Sequence, residues 1–375
     1  ALVDGKNSLL GKRIPKGKVP SRAEGFCLRV VRNDQKKPIL WIHGADGRGV
    51  LFGVGFFLRQ VVWSPGRLRW ECSGEIGSAP AFPIRGHQLG YRDVANSYDA
   101  WDEKQYEQYI RELTFWGTNS IENIPVWGDT LSPVMKRTPQ EMNRAISEIC
   151  NRYDLDYWVW IPAQFDLNDK EKRAAFLEQQ GKLFADSPRL DAVFFPGGDP
   201  GNNPPELVLP YLEDLALVLL AHHPRAKIWL SMQSFTPEEV DAVFAWISAG
   251  HREWFAGLVA GPSSPPIPET RARLSKAYRL RHYPDITHSV RAQYPVPWWD
   301  PAFAFTLGRE ATNPRPVYYA LIHNLFAPYT DGFVTYSDGV HDDVNKVVWS
   351  ARGWDPKKDV RSILVEYARV FWKPE

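Results

Sequence analysis

Between residues 84 and 336 the chain switches eight times from a short apolar run to a longer segment with helical spacing. No other feature constrains the fold as much. The runs are Ile84–Leu89, Asn119–Ile124, Leu155–Ile161, Ala192–Phe195, Lys227–Ser231, Gly257–Gly261, Tyr278–Tyr283 and Gly332–Tyr336. The helical segments include Glu103–Trp116, Pro139–Arg152, Lys170–Ala185, Pro205–Ala221, Pro237–Ala249 and Pro316–Phe326. Thr138-Pro139 and Thr236-Pro237 each set a capping hydroxyl before a first-turn proline, which marks two helix starts. Eight such units predict a (β/α)8 TIM barrel of the α/β class. A doubly wound sheet is the runner-up, but it usually has fewer strands and a Gly-rich first turn.

Residues 1–80 follow another pattern and predict a small α+β domain ahead of a barrel spanning 81–375. Phe26–Val31 and Ile39–Ile42 read as a strand pair around a polar turn at Asn33-Asp34. A turn over 44–49 leads into the apolar helix Val50–Val61, which needs a sheet to cover it. Gly53 and Gly55 do not make a dinucleotide loop, because the third glycine is absent and no strand feeds it. Close helix–sheet packing explains them better.

The 45 basic and 44 acidic residues nearly cancel, which argues against a nucleic-acid partner. The basic stretch Lys12–Lys18 reads as a solvated strap. Cys27, Cys72 and Cys150 are too scattered for a disulfide framework, and no CxxC spacing offers zinc. No apolar run approaches about 18 residues, so no membrane helix is expected. The chain opens at Ala1 without Met or signal peptide, as a periplasmic or secreted protein would after processing. Oligomeric state is not legible.

A barrel places its chemistry in the loops after the strands. Asp199 leaves the fourth strand in the loop Gly197-Gly198-Asp199-Pro200-Gly201, which gives up regular structure; it contacts substrate or caps that turn. Asp338 follows the eighth strand in the same way. Glu122 ends an alternating strand and points into the mouth, unless it is a structural partner of Arg85 or Arg92. Asp285 opens the long loop after the seventh strand, which also holds His288 and the pair Trp298-Trp299. Asp342 and Asp343 start a helix running through Val344–Ser350. His282, Asp285 and His288 match no recognised metal set, and no metal or other cofactor is expected. Sixteen Trp and 15 Tyr offer an apolar face with a polar edge, which is what a sugar ring presents in return. No GxSxG, GxxxxGK[ST] or HExxH motif is present.

Carboxylates, guanidiniums, amides and indoles at one mouth are the inventory of glycosidic cleavage. Asp199 is the first choice for the general acid or for a carboxylate orienting the reacting group; Asp338, Glu122 and Asp285 compete for the second role. Arg85, His87, Arg92, Gln233, His288, Trp298, Trp299, Tyr336 and Asp343 form the expected substrate shell. A separation of about 5–5.5 Å would mean retention and about 6.5–9.5 Å inversion.

The segment from Ala23 to Arg59, with Arg48-Gly49-Val50-Leu51-Phe52-Gly53, resembles the small domain before the barrel in family 20 hexosaminidases and family 67 α-glucuronidases. Pro83-Ile84-Arg85-Gly86 resembles the first barrel strand of family 20, where the arginine contacts the sugar; the resemblance assigns that contact to Arg85. Gly197-Gly198-Asp199 resembles the family's GGDE, whose aspartate orients an acetamido group and whose glutamate is the acid. Pro200 stands where that glutamate would be, so either Asp199 has another role or the acid comes from another strand. The expectation is a glycoside hydrolase acting on an N-acetylated or uronic-acid glycan. The alternatives are a degenerate barrel that only binds carbohydrate and a barrel acting on a non-sugar substrate with a metal at His282, Asp285 and His288.

Overall fold

The computed structural model describes residues 2–4, 20–32, 36, 38–70, 74–92, 97–125, 131–287, 314–339 and 342–372. In the N-terminal α+β domain, β2 (Phe26–Arg32) pairs antiparallel with β3 (Pro38–Gly44) and β6 (Glu75–Ser78), and β1 (Leu2–Asp4) lies parallel to β3. β4 (Val62–Ser64) and β5 (Arg67–Arg69) form a separate hairpin. Helix α1 (Gly47–Gln60) is capped by Asp46, whose carboxylate accepts from the Gly49 amide. It buries Phe52 against Phe26, Leu28 and Ile42. Its glycines are where two layers press closest. A Cβ at Gly53 would stand 2.5 Å from Ile42 Cγ2, and one at Gly55 2.6 Å from Phe115 Cα. The helix is thus gripped between its own sheet and the barrel.

The barrel strands are β7 (Ile84–Gln88), β8 (Ser120–Asn123), β9 (Asp156–Trp160), β10 (Ala192–Pro196), β11 (Lys227–Ser231), β12 (Phe255–Ala260), β13 (Arg279–His282) and β14 (Gly332–Thr335). All pair in parallel, and β14 closes on β7. The helices are α2 (Glu103–Thr114), α3 (Pro139–Arg152), α4 (Lys170–Asp186), α5 (Pro205–His222), α6 (Pro237–Ser248), α7 (Ile267–Arg273), α8 (Pro316–Phe326), α9 (Asp343–Trp354) and α10 (Val360–Phe371). This is the expected (β/α)8 barrel behind a small domain. Thr138 and Thr236 form full capping boxes with Glu141 and Glu239, so these helix starts are held by reciprocal hydrogen bonds.

Trp158, Trp160, Phe194, Trp229 and Tyr283 fill the lumen, with Trp158 and Trp229 stacked at 5.4 Å. Trp116 and Trp349 are buried in the layer between barrel and helices. Much of the aromatic excess is therefore core and not a sugar platform. Among the described residues no helix is long and apolar enough to cross a membrane.

Candidate active site

Strand pleat decides which predicted residues reach the mouth. Ile84, Gly86 and Gln88 turn to the lumen. A Cβ at Gly86 would stand 2.9 Å from both Ser120 Cβ and Val334 Cγ2, so the closed wall leaves room only for glycine there. Arg85 and His87 consequently turn outward. Arg85 Nη2 lies 2.5 Å from Glu24, and its Nε and Nη1 donate to the carbonyls of Gly117 and Phe82 at 2.7 and 2.6 Å. Its guanidinium also sits 5.4 Å from the rings of Phe52 and Trp354. This corrects the sugar contact that the resemblance assigns to Arg85: the side chain fastens the barrel to the N-terminal domain. His87 is corrected likewise. Its ring nitrogens lie 2.8 Å from Thr335 Oγ1 and 2.7 Å from Ser350 Oγ, and burial holds it well below the usual imidazole range. Asp343 accepts from the Tyr367 hydroxyl on α10, so it belongs to the outer helix layer and not to the substrate shell.

Glu122 does face the lumen, but fully buried below the mouth. Its partners are Arg281 at 2.8 Å and Gln88 at 2.9 Å, not Arg85 or Arg92. Burial pushes its carboxyl up, and Arg281 with Gln88 offsets only part of that. The Tyr283 hydroxyl donates to Gln88 Oε1 at 3.1 Å, which extends the chain of bonds towards the strand ends. Arg281 also lies 4.7 and 4.6 Å from the rings of Trp158 and Phe194. Sequence reasoning missed Arg281. Its signal is a charge on a strand buried on both faces, which needs a partner across the lumen.

The extensions of β13 and β14 build the polar centre of the mouth. Asp285 and Tyr336 are bridged in parallel, with the Tyr336 amide donating to Pro284 O at 2.9 Å. Asp338 Oδ1 accepts from Arg92 and, at 2.8 Å, from the Tyr336 hydroxyl; Arg92 also donates to that hydroxyl. The Asp338 amide donates to Thr287 Oγ1 at 2.9 Å, and Thr287 Oγ1 donates to Asp342 Oδ2 at 3.1 Å. Asp342 further accepts from Ser337 Oγ at 2.6 Å and from the fully buried Lys346. Asp285 Oδ1 accepts from the Thr287 amide at 2.9 Å. Three of the predicted residues (Arg92, Tyr336 and Asp338) thus meet directly, and Asp285 joins them through Thr287. Sequence reasoning missed Thr287 and Ser337, whose hydroxyls carry no spacing signal.

Asp199 is exposed in the loop after β10 and, among the described residues, its carboxylate has no hydrogen bond or ion pair. Its loop is nevertheless tightly placed. Cβ atoms at Gly197 and Gly198 would stand 2.3 Å from Ser231 O and 2.7 Å from Gln233 O, so both glycines let it lie on the next loop. The Asn203 amide donates to Phe165 O at 2.9 Å, tying the loop to its other neighbour. Gln233 is half-buried there and its Oε1 accepts from Ser231 Oγ at 3.1 Å. His288, Trp298 and Trp299 lie outside the described residues. His282 packs its ring against Phe326 and Trp349 on the outer side of the wall, away from a shared point with Asp285. Among the described residues no three His, Cys, Asp or Glu side chains gather as a metal set.

A cavity of about 550 Å³ opens at the opposite, N-terminal end, lined by Arg189, Asp154 and Asp191. Arg189 is held there by Asp154 at 2.8 Å and Asp191 at 2.6 Å. Ion pairs at that end of a barrel serve stability, so its volume does not make it the site of chemistry.

No family model matches the chain, and no curated protein matches it in sequence. Solved structures share its fold. A family 89 glycoside hydrolase from Clostridium perfringens, in complex with 2-acetamido-1,2-dideoxynojirmycin, matches with a TM-score of 0.59 at 12% identity, covering 94% of this chain and 47% of its own. This chain therefore spans about half the length of that protein. An N-acetyl-beta-hexosaminidase from Streptomyces plicatus, in complex with Thio-NAglucal, gives 0.58 at 12% identity, covering 96% of this chain and 84% of its own. A further beta-N-acetylhexosaminidase gives 0.58 at 11%, with 94% and 89% covered. These likenesses establish a shared architecture.

Proposed function

We propose that this chain is a glycoside hydrolase working at the C-terminal mouth of its barrel on an N-acetylated sugar. The observation that carries the reading is the clamp on Asp338, whose Oδ1 receives both Arg92 and Tyr336 at the end of the last strand. Two donors on one oxygen suit a carboxylate that accepts hydrogen bonds, and not an acid that gives up a proton. Asp338 is therefore the negative group beside the anomeric centre, with Arg92 and Tyr336 as its positioning residues. Asp199, unbonded on a loop pinned at both sides, is the carboxyl that protonates the leaving oxygen. Asp285 and Gln233 hold hydroxyls at the rim. The choice of an N-acetylated over a uronic-acid substrate is supported by the fold neighbours, which are hexosaminidases or hold an acetamido sugar mimic. Pro200 favours the second reading, a barrel that binds such sugars without turnover.

The test is hydrolysis of aryl N-acetylhexosaminides of both anomers, aryl glucuronides and neutral aryl hexosides by the wild type, Asp338→Asn and Asp199→Asn. Turnover of the N-acetylated class, reduced about 10²-fold or more in each folded variant, is the expected result. Loss in Asp338→Asn alone moves the acid to Asp285. Turnover of glucuronides only overturns the substrate class. No turnover on any member, with sugar binding intact, establishes the binding barrel.

A further inference from the structure

Between the N-terminal domain and the barrel lies a cavity of about 310 Å³, at the lower end of the roughly 300–1,000 Å³ range of small-molecule pockets. Its aromatic walls are Phe56, Trp116 and Trp354. Two of its lining donors, Arg59 Nε and Trp116 Nε1, are buried without a hydrogen-bond acceptor among the described residues. Both residues are more than nine-tenths buried, at 6% and 1% exposure. The neighbouring carboxylate cannot serve them. Glu366 already accepts from Arg59 Nη1 at 2.5 Å, Gln60 at 2.6 Å and Lys358 at 2.6 Å. At the rim the polarity reverses, because Asp355 and Asp359 are exposed acceptors on the loop before α10.

We propose that this cavity is an accessory binding site for one neutral sugar unit. A hydroxyl both accepts and donates, so one ring satisfies the two inner donors and also donates to the rim carboxylates, while its C–H face lies on the aromatic wall. An oxyanion would satisfy the donors but meet the charges of Asp355 and Asp359 on entry. The site lies behind α9 and α10, on the far side of the wall from the mouth, and its occupancy does not depend on the chemistry proposed there.

Hydrogen–deuterium exchange of the whole chain tests it, with glucose, N-acetylglucosamine and inorganic phosphate as separate probes. At about 10 mM sugar, ten times the roughly 1 mM Kd expected of a single ring, local opening is suppressed by 1 + [L]/Kd, about tenfold. The expected result is that slowing at residues 56–60 and 359–363 with one of the sugars. It is lost in Trp116→Phe, which keeps the ring, and in Arg59→Lys, which keeps the charge opposite Glu366; either variant suffices if the other fails to fold. No slowing with either sugar overturns the proposal. Slowing by phosphate alone makes the cavity an oxyanion site and overturns it too. Slowing that persists in a folded variant places the sugar elsewhere.

Discussion

Two arginine–carboxylate systems stand seven residues apart in sequence and behave as opposites. Arg85 leaves β7 on its outer face and spends Nε, Nη1 and Nη2 on two carbonyls and Glu24, all inside the molecule. Glu24 in turn accepts from Arg48 at 3.1 Å and Asn119 at 3.0 Å, and these partners outweigh its burial and hold its carboxyl below the usual range. Arg92 leaves the mouth end of the same strand and shares one oxygen of Asp338 with the half-buried Tyr336. The residue types are the same; the end of the strand and the pleat make one a fastening and the other a site. Saturated pairs below and outside the wall serve stability, and clamped carboxylates at the strand ends serve chemistry.

The comparison breaks most visibly at Arg85. Arg85→Met leaves Glu24 buried beside one fewer cation, and removal of one partner of such a pair costs about 3–5 kcal/mol. Chemical denaturation is expected to show that loss, while activity per folded molecule stays at the wild-type level. The double variant Glu24→Gln/Arg85→Met should recover part of it, since the two residues share one interaction. Normal stability with abolished activity would return Arg85 to the sugar and dissolve the distinction.

The architecture was legible because it is written locally. Alternating runs, Thr-Pro caps and the length of each helix need no knowledge of distant residues, and Pro139–Arg152 and Pro316–Phe326 match to the residue. The pleat phase was not legible. Ile84–Gln88 is buried on both faces, so polarity does not mark the lumen side. The outward face is in fact the more polar one, because Glu24, some sixty positions away, waits for Arg85. Asp342 and Lys346 form a helical i,i+4 pair that spacing could reveal, whereas Asp343 is decided by Tyr367 on another helix. Asp338, Arg92 and Tyr336 were each picked out, but their meeting on one oxygen is a product of barrel closure.

A smaller effect sharpens the contrast through pH. His87 and His323 lie in the packed layer outside the wall, and burial lowers both; His323 falls to about 4. Each binds its proton more readily unfolded, at about 6.5, than folded. Their contribution is therefore complete above about pH 6.5 and is lost as pH falls, by up to about 1.4 kcal/mol per unit for each until the folded value is reached. Glu24, held low, adds to the loss only below about 4.5. Thermal melts between about pH 7 and 4.5 should show Tm falling with acid, and His323→Phe should flatten the slope. An unchanged slope in that variant would mean that the layer admits water, as the mouth does.

The smallest expected change is at the clamp itself. Tyr336→Phe removes one donor from Asp338 Oδ1 and leaves Arg92 in place, so the carboxylate keeps its charge partner. A single hydrogen bond is worth about 1 kcal/mol, or roughly fivefold in kcat/KM. If Tyr336 only fastens the strand end, that amount appears in unfolding stability and the kinetics stay put. If it positions Asp338 for the reaction, kcat falls, KM holds, and the acidic limb of the pH–rate profile moves up because the carboxylate has lost a donor. The second pattern is expected, because Tyr336 keeps part of its surface open at the mouth, where Arg85 has none. A change confined to stability would make the clamp a second fastening, and would return the search for the reacting carboxylate to Asp285.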